Sequence, residues 1–241
     1  RRVKRGIGTI REDLNISIPG GARVEIKGVQ ELRMLPIYVQ NEANRQKSLL
    51  RIKEILLERG TKPASEEYMD LTEDFKSCES KIIASAIKKK GKVFAVALPG
   101  FAGVMKSADS TLRLGAEMAG YAKTKGVAGI FHSDELPNYG ITQEYIDLVR
   151  KKLSLSDEDA FALCADDEKK ASAAIVAAVR RANVALEGVP EETRDPKPDG
   201  TSVYSRPLPG AARMYPETDV PPIAIKDSMM SEIFANLPEL P

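Results

Sequence analysis

Among its 241 residues the chain has a single histidine, His132. A catalytic triad built on His, or a zinc site using several histidines, is therefore excluded within it. Cysteine is nearly as scarce. Cys78 and Cys164 stand far apart, with no CxxC spacing and no His pair beside them, so reduced thiols and a cytoplasmic setting are expected rather than a disulfide framework. No apolar run approaches the roughly 20 residues of a membrane span, and no signal peptide is legible. Excess charge is missing too: 36 basic against 35 acidic residues leave a net +1. Any contact with nucleic acid must come from local patches, not from a polycation. The chain begins Arg1-Arg2 and stops within Leu-Pro-Glu-Leu-Pro, which reads as an internal piece of a longer protein. Its length accommodates one large domain or two small ones.

Against this plain background, Gly8–Val29 stands out. Ile10, Leu14, Ile16 and Ile18 share one parity, and Thr9, Arg11, Asp13, Asn15 and Ser17 the other, the signature of a half-buried strand. Pro19-Gly20-Gly21 interrupts it. Val24 and Ile26, alternating with Arg23, Glu25 and Lys27, supply the second arm of a β-hairpin. A two-residue Gly-Gly turn would set Ile18 opposite Arg23 and spread apolar side chains over both faces. A three-residue loop, Pro19–Gly21, instead pairs Ile18 with Ala22, Asn15 with Glu25 and Asp13 with Lys27. Arg11, Asp13, Asn15, Ser17, Arg23, Glu25 and Lys27 then share one face, with Asp13 and Glu25 diagonal neighbours roughly 7–8 Å apart at the backbone. Carboxylates converging beside cations and an amide suit a divalent metal or a phosphate. They equally suit a solvated strand face laced with surface salt bridges, and pattern alone leaves both open.

Further along, Val39, Ala43, Leu49, Leu50, Ile52, Ile55 and Leu56 predict a helix over Leu35–Arg59, with Gln40, Asn44, Arg45, Lys47 and Lys53 outward and Gly60 as its stop. After a polar, turn-rich passage over 61–80, a helix carrying Ile82, Ile83, Ala86 and Ile87 runs into Lys88-Lys89-Lys90-Gly91. Strands are predicted at Val93–Leu98, Val127–Phe131 and Ala160–Cys164. Helices are predicted at Ser110–Lys123, Thr142–Leu153 and Glu168–Leu186, the last capped by Asp166 or Asp167. This alternation argues for α+β or α/β packing, with sheet order unreadable. Leu98–Gly103 lacks the phosphate-loop endings and reads as a tight turn. His132, beside Asp134 and Glu135, reads as structural or solvated. From Gly188 the texture turns to Pro, Gly and charge and reads as a rigid loop presenting Arg194, Arg213, Glu217 and Asp219, or as a structural wrap. A helix is expected over Ser228–Leu237.

The run Gly8-Thr9-Ile10-Arg11-Glu12-Asp13-Leu14-Asn15-Ile16-Ser17, followed by Arg23-Val24-Glu25-Ile26-Lys27, resembles the glutamyl-tRNA(Gln) amidotransferase family. Its tRNA-handling subunits (B in bacteria, E in archaea) carry G-[ST]-[LIM]-R-x-D-x-N-[IV]-S and then [RT]-x-E-I-K. Gly28-Val29-Gln30 and the later insertion resemble the archaeal form. Lys92–Gly103, Leu114–Phe131 and Asp159–Arg181 resemble an insertion domain shared with bacterial-type aspartyl-tRNA synthetases.

The resemblance implies an α+β protein with a strand-rich catalytic cradle interrupted by a separate α+β insertion. Residues 1–63 would end the cradle, 64–187 form the insertion, 188–222 return to the cradle, and 223–241 begin a helical tRNA-binding region. It implies ATP-dependent phosphorylation of the glutamate side chain on Glu-tRNA(Gln), then amidation by ammonia from a separate asparaginase-like amidase subunit in a hetero-oligomer. Asp13 and Glu25 would hold Mg2+, with Asn15 beside them, and Arg11 and Lys27 would orient or neutralise phosphate. Arg194 and Arg213 would meet ATP. Further ligands, a histidine among them, would lie outside this chain, so the piece alone is expected to be inactive. A different reading is a non-catalytic tRNA-binding and scaffold module. A small-molecule enzyme built on the insertion has no constellation in its favour.

Overall fold

The computed structural model describes residues 10–108, 111–208 and 224–237. The chain divides into two units, residues 1–208 and 209–241. Among the described residues there are two four-stranded sheets and six α-helices, an α+β architecture. No helix among them is long and apolar enough to cross a membrane.

The first unit opens with the hairpin, strands β1 (Glu12–Ile16) and β2 (Val24–Val29). Gly21 N–H bonds to Ile18 C=O at 2.9 Å, and Gly20 sits at φ +74°. Pro19 and Gly20 thus occupy the central positions of a type II turn, where the second must tolerate positive φ. Asn15 pairs with Glu25 as parity requires, with Leu14 opposite Ile26 and Ile16 opposite Val24. Beyond that point the register slips, and Glu12 meets Val29. The extra residue is a β-bulge at Lys27-Gly28, with Gly28 at φ +79°, where a glycine adopts the left-handed conformation without a Cβ penalty.

Helix α1 (Leu35–Glu58) follows. It buries Tyr38, Glu42, Gln46, Leu49, Ile52 and Leu56, a stripe of helical period whose first half is polar. Two expectations are corrected here. Val39 is exposed, and Arg45 faces inward, because the buried partners of α1's first half are ionic. The helix also fixes its surroundings: Tyr38 Oη donates to Lys197 C=O at 2.7 Å, Asn41 Nδ2 to Gly200 C=O at 2.9 Å, and Gln46 Nε2 to Ile16 C=O at 3.2 Å.

The chain then builds a second sheet from β3 (Met69–Asp70), β4 (Lys92–Leu98), β5 (Phe131–His132) and β6 (Ala160–Asp166), in the order β3-β4-β6-β5, antiparallel throughout. Helices α2 (Lys81–Lys88) and α4 (Gln143–Lys152) cover one face; α3 (Leu114–Lys123) and α5 (Glu168–Val184) cover the other. Phe94, Val96, Leu98, Ala160, Ala162 and Cys164 face α3, α5 and α1, while Val93, Ala95, Phe161 and Leu163 face α2 and α4. Both faces of β4 and β6 are buried, which is why their sequences read as unbroken apolar runs. The strand expected at Val127–Phe131 reduces to Phe131–His132, pairing with Leu163 and Ala162 of β6. Asp167 caps α5, accepting from Lys169 N–H at 3.1 Å and Lys170 N–H at 3.4 Å.

The passage from Gly188, expected as loop, instead forms β7 (Glu192–Pro196) and β8 (Ser202–Pro207). β7 lies parallel to β2 and antiparallel to β8, giving a first sheet ordered β1-β2-β7-β8. In the second unit, α6 (Asp227–Ala235) is the described element, close to the helix predicted there. Arg213, Glu217 and Asp219 lie outside the described residues, as does the basic lead-in Arg1, Arg2, Lys4 and Arg5.

Candidate active site

Alternation along β1 and β2 puts Leu14, Ile16, Val24 and Ile26 toward the interior and leaves Arg11, Asp13 and Asn15 exposed, with Glu25 and Lys27 half-buried. The two carboxylates converge on one cation. Lys27 Nζ lies 3.7 Å from Asp13 Oδ2 and 3.5 Å from Glu25 Oε2. Arg11 Nε stands 3.8 Å from Asp13 Oδ1. The bulge aims the Gly28 N–H at Asp13 Oδ1, at 2.9 Å. Parallel pairing sets Thr193 against Glu25, and the Thr193 hydroxyl donates to Glu25 Oε2 at 3.2 Å.

This donor set fits a hard divalent cation in kind. Two carboxylates flank a position at which positive charge already resides, beside the amide of Asn15, whose register partner is Glu25. It falls short in number, since no group of three His, Cys, Asp or Glu side chains suited to a metal occurs among the described residues. His132, with Asp134 and Glu135, is no exception. It is buried, 3.8 Å from Glu135 Oε2, and Asp134 is spent accepting from the Met105 and Lys106 amides.

Behind β7 lies a constellation that sequence reasoning missed. Glu117 of α3 gathers three guanidinium groups from three other elements: Arg45 of α1 at 2.7 Å, Arg181 of α5 at 3.3 Å and Arg194 of β7 at 3.2 Å. Glu192 of β7 pairs with Arg194, lies 3.3 Å from Arg45 and accepts from Tyr121 Oη at 2.7 Å. Glu42 completes the set, bonded to Arg45 Nε at 2.8 Å. Three carboxylates thus balance three guanidiniums in an interior that would not hold either alone. Burial by itself would raise the Glu117 carboxyl pKa, but Arg45, Arg194 and Arg181 overcome it and hold the group far below the usual range. Burial and the Glu192 charge push the Tyr121 phenol the other way, upward.

Arg194, expected to meet ATP from a loop, is therefore on a strand and 3 % exposed. Its guanidinium is engaged by Glu117, Glu192 and Ser202, and a nucleotide would have to displace them. No apolar period announces this network. The sequence signal, in retrospect, is charge inside otherwise core-facing positions of α1 and α3.

A groove of about 860 Å³ opens over the network between α1, α3 and the β7–β8 turn. Lys47, Arg113 and Lys123 stand exposed on its rim.

The chain matches the family described as GatB/GatE catalytic domain over residues 2–231. It is similar to proteins named as the E subunit of glutamyl-tRNA(Gln) amidotransferase from Pyrococcus abyssi (56% identity over 244 residues), Methanocaldococcus jannaschii (53% over 243) and Methanopyrus kandleri (48% over 243). The alignments cover 99–100% of this chain but 38% of each relative's length.

Proposed function

The chain belongs to the GatB/GatE catalytic-domain family, and from that membership we propose that it carries part of the active site of a tRNA-dependent amidotransferase. In this reading the whole protein uses ATP to phosphorylate the side-chain carboxylate of Glu-tRNA(Gln) and amidates it with ammonia from a separate amidase subunit. Activation is needed because a carboxylate is a poor electrophile, and phosphoryl transfer is chiefly positioning and charge neutralisation.

The observation that carries the reading is the convergence of Asp13 and Glu25 on one cation position, on paired strands. Asp13 and Glu25, with Asn15 beside them, would hold Mg2+, which when bound neutralises charge on the transferring phosphoryl group. Lys27 keeps the two carboxylates from repelling each other, and with Arg11 offers positive charge to phosphate. Among the described residues two carboxylates meet here, so the reading requires further ligands, and in it the 241-residue chain alone is expected to be inactive.

The test is Glu25→Gln in the full-length protein with its amidase partner, scored by ATP-dependent phosphorylation of Glu-tRNA(Gln). A loss of about a hundredfold or more, at unchanged melting temperature and tRNA affinity, is expected. An unchanged rate reduces the hairpin to a solvated wall.

A second reading, a tRNA-binding scaffold, is favoured by the groove. Lys47, Arg113 and Lys123 have no ion-pair partner among the described residues and fit an RNA phosphate backbone. Replacing each by Ala in the full-length protein should reduce the salt slope of tRNA binding by about one. An unchanged slope refutes it.

A further inference from the structure

The two oxygens of Glu25 are not equivalent. Oε2 accepts the Thr193 hydroxyl at 3.2 Å and faces Lys27 Nζ at 3.5 Å. Oε1 has no hydrogen-bond partner among the described residues. Thr193 is 1 % exposed, so bulk water cannot satisfy its hydroxyl, and a buried donor left unpaired is costly. The Glu25 carboxylate is the acceptor that register provides.

β7 has little freedom to move away. On either side of Thr193, Glu192 and Arg194 turn to the opposite face of the strand. There they are held by Tyr121 Oη, Arg45, Glu117 and Ser202. The network on one face of β7 thereby fixes the hydroxyl on the other.

We propose that Thr193 is a positioning residue for Glu25: its hydroxyl pins Oε2 and leaves Oε1 as the oxygen offered to a divalent cation. The proposal rests on the metal reading above and deepens it. A carboxylate without this contact presents either oxygen and must be ordered at the moment of binding, whereas a pinned one is ordered beforehand. Partners that orient a ligating carboxylate typically matter 10–100-fold, roughly, for metal affinity.

The experiment uses Mn2+ alone as probe, with the full-length protein, reading free Mn2+ by its paramagnetic resonance signal. The Mn2+ bound by wild type and absent in Glu25→Gln defines the site. Thr193→Val, which keeps the shape and removes the donor, is expected to weaken binding at that site about tenfold. Thr193→Ser, which restores a hydroxyl, is expected to recover it. Thr193→Ala serves in place of the valine variant if that one fails to fold, and matching melting curves are required throughout. If Thr193→Val binds as wild type while Glu25→Gln has lost the site, the positioning role is overturned and the metal reading stands. Should Thr193→Ser bind as weakly as Thr193→Val, packing accounts for the loss and the role is likewise overturned. If Glu25→Gln itself binds Mn2+ like wild type, the site is not there and both fall.

Discussion

Replacing Glu117 by Gln tests whether the buried network holds the two sheets' elements together. Glu117 meets Arg45 at 2.7 Å, Arg181 at 3.3 Å and Arg194 at 3.2 Å. Its loss leaves Glu42 and Glu192 to balance three buried guanidiniums. Removing one partner of a buried ion pair costs about 3–5 kcal/mol, mostly through the uncompensated charge left behind. For a chain of this size each kcal/mol moves the melting temperature by about 2–4 °C, so a fall of about 6–20 °C is expected. The pH dependence has a definite sign. The folded pKa of Glu117 is held below the ordinary 4.5, so its contribution is complete above the unfolded value and is lost as pH falls through the folded one. Glu117→Gln should therefore also flatten the acid-side loss of stability. Arg181 supplies the control. Its Nε and Nη1 have no hydrogen-bond partner among the described residues; adding Arg181→Met to Glu117→Gln restores two-against-two balance and should recover at least about 1 kcal/mol of the single variant's loss. A melting shift below about 2 °C for Glu117→Gln would refute the reasoning.

The remaining predictions concern His132 and the bulge. Burial holds the His132 pKa below its ordinary 6.5, outweighing Glu135 and Asp134, with Lys106 acting in the same direction as burial. The unfolded chain therefore takes up a proton first as pH falls below about 6.5, and stability declines there; His132→Gln should flatten thermal stability between pH 7 and 5, and an unaltered slope counts against it. Gly28→Ala places a Cβ at φ +79°, where the nearest atom is Arg11 Nε at 3.7 Å, so the cost is backbone strain, not collision. About 1–2 kcal/mol is expected, visible as a lower urea midpoint, and an unshifted midpoint would remove the bulge from the account.

How much of this was legible depends on what each face buries. The hairpin and its register were readable because β1 and β2 bury one face only, so parity survives from Leu14 to Ile26. β4 and β6 were readable as apolar runs because both their faces are covered. β7 and β8 were not: the inner face of β7 carries Glu192 and Arg194, whose burial is ionic, and charge among prolines reads as loop. The same cause misplaced Arg45, set outside by an apolar-stripe argument although Glu42 and Glu117 draw it in. β3 is two exposed residues and carries no pattern at all. At the candidate site, Asp13, Glu25 and Lys27 could be brought together from parity, but the Gly28 bulge that turns an amide onto Asp13 was visible only as a glycine inside a strand. Thr193 could not be foreseen, because nothing local says that a segment so distant pairs in parallel with β2.

That pairing has a consequence for how the protein folds. Thr193 and Glu25 are 168 residues apart. Closing a flexible loop of that length costs roughly 4–5 kcal/mol of chain entropy. Yet Ala64 and Asn183 already lie side by side, with Ala64 N–H donating to Asn183 Oδ1 at 2.7 Å and Asn183 Nδ2 donating to Ala64 C=O at 2.9 Å. If the second sheet and its helices form first, the open contour shrinks to about 50 residues and the closure cost drops by about 1 kcal/mol. The order of events follows: β4 and β6 close, then β7 is delivered to β2, and the carboxylate pair gains its hydroxyl partner at the end. Pulsed hydrogen exchange during refolding should protect the β4 and β6 amides before those of β7; simultaneous protection would rule that order out. The candidate site then acquires its buried hydroxyl partner only in molecules whose distant half has already folded.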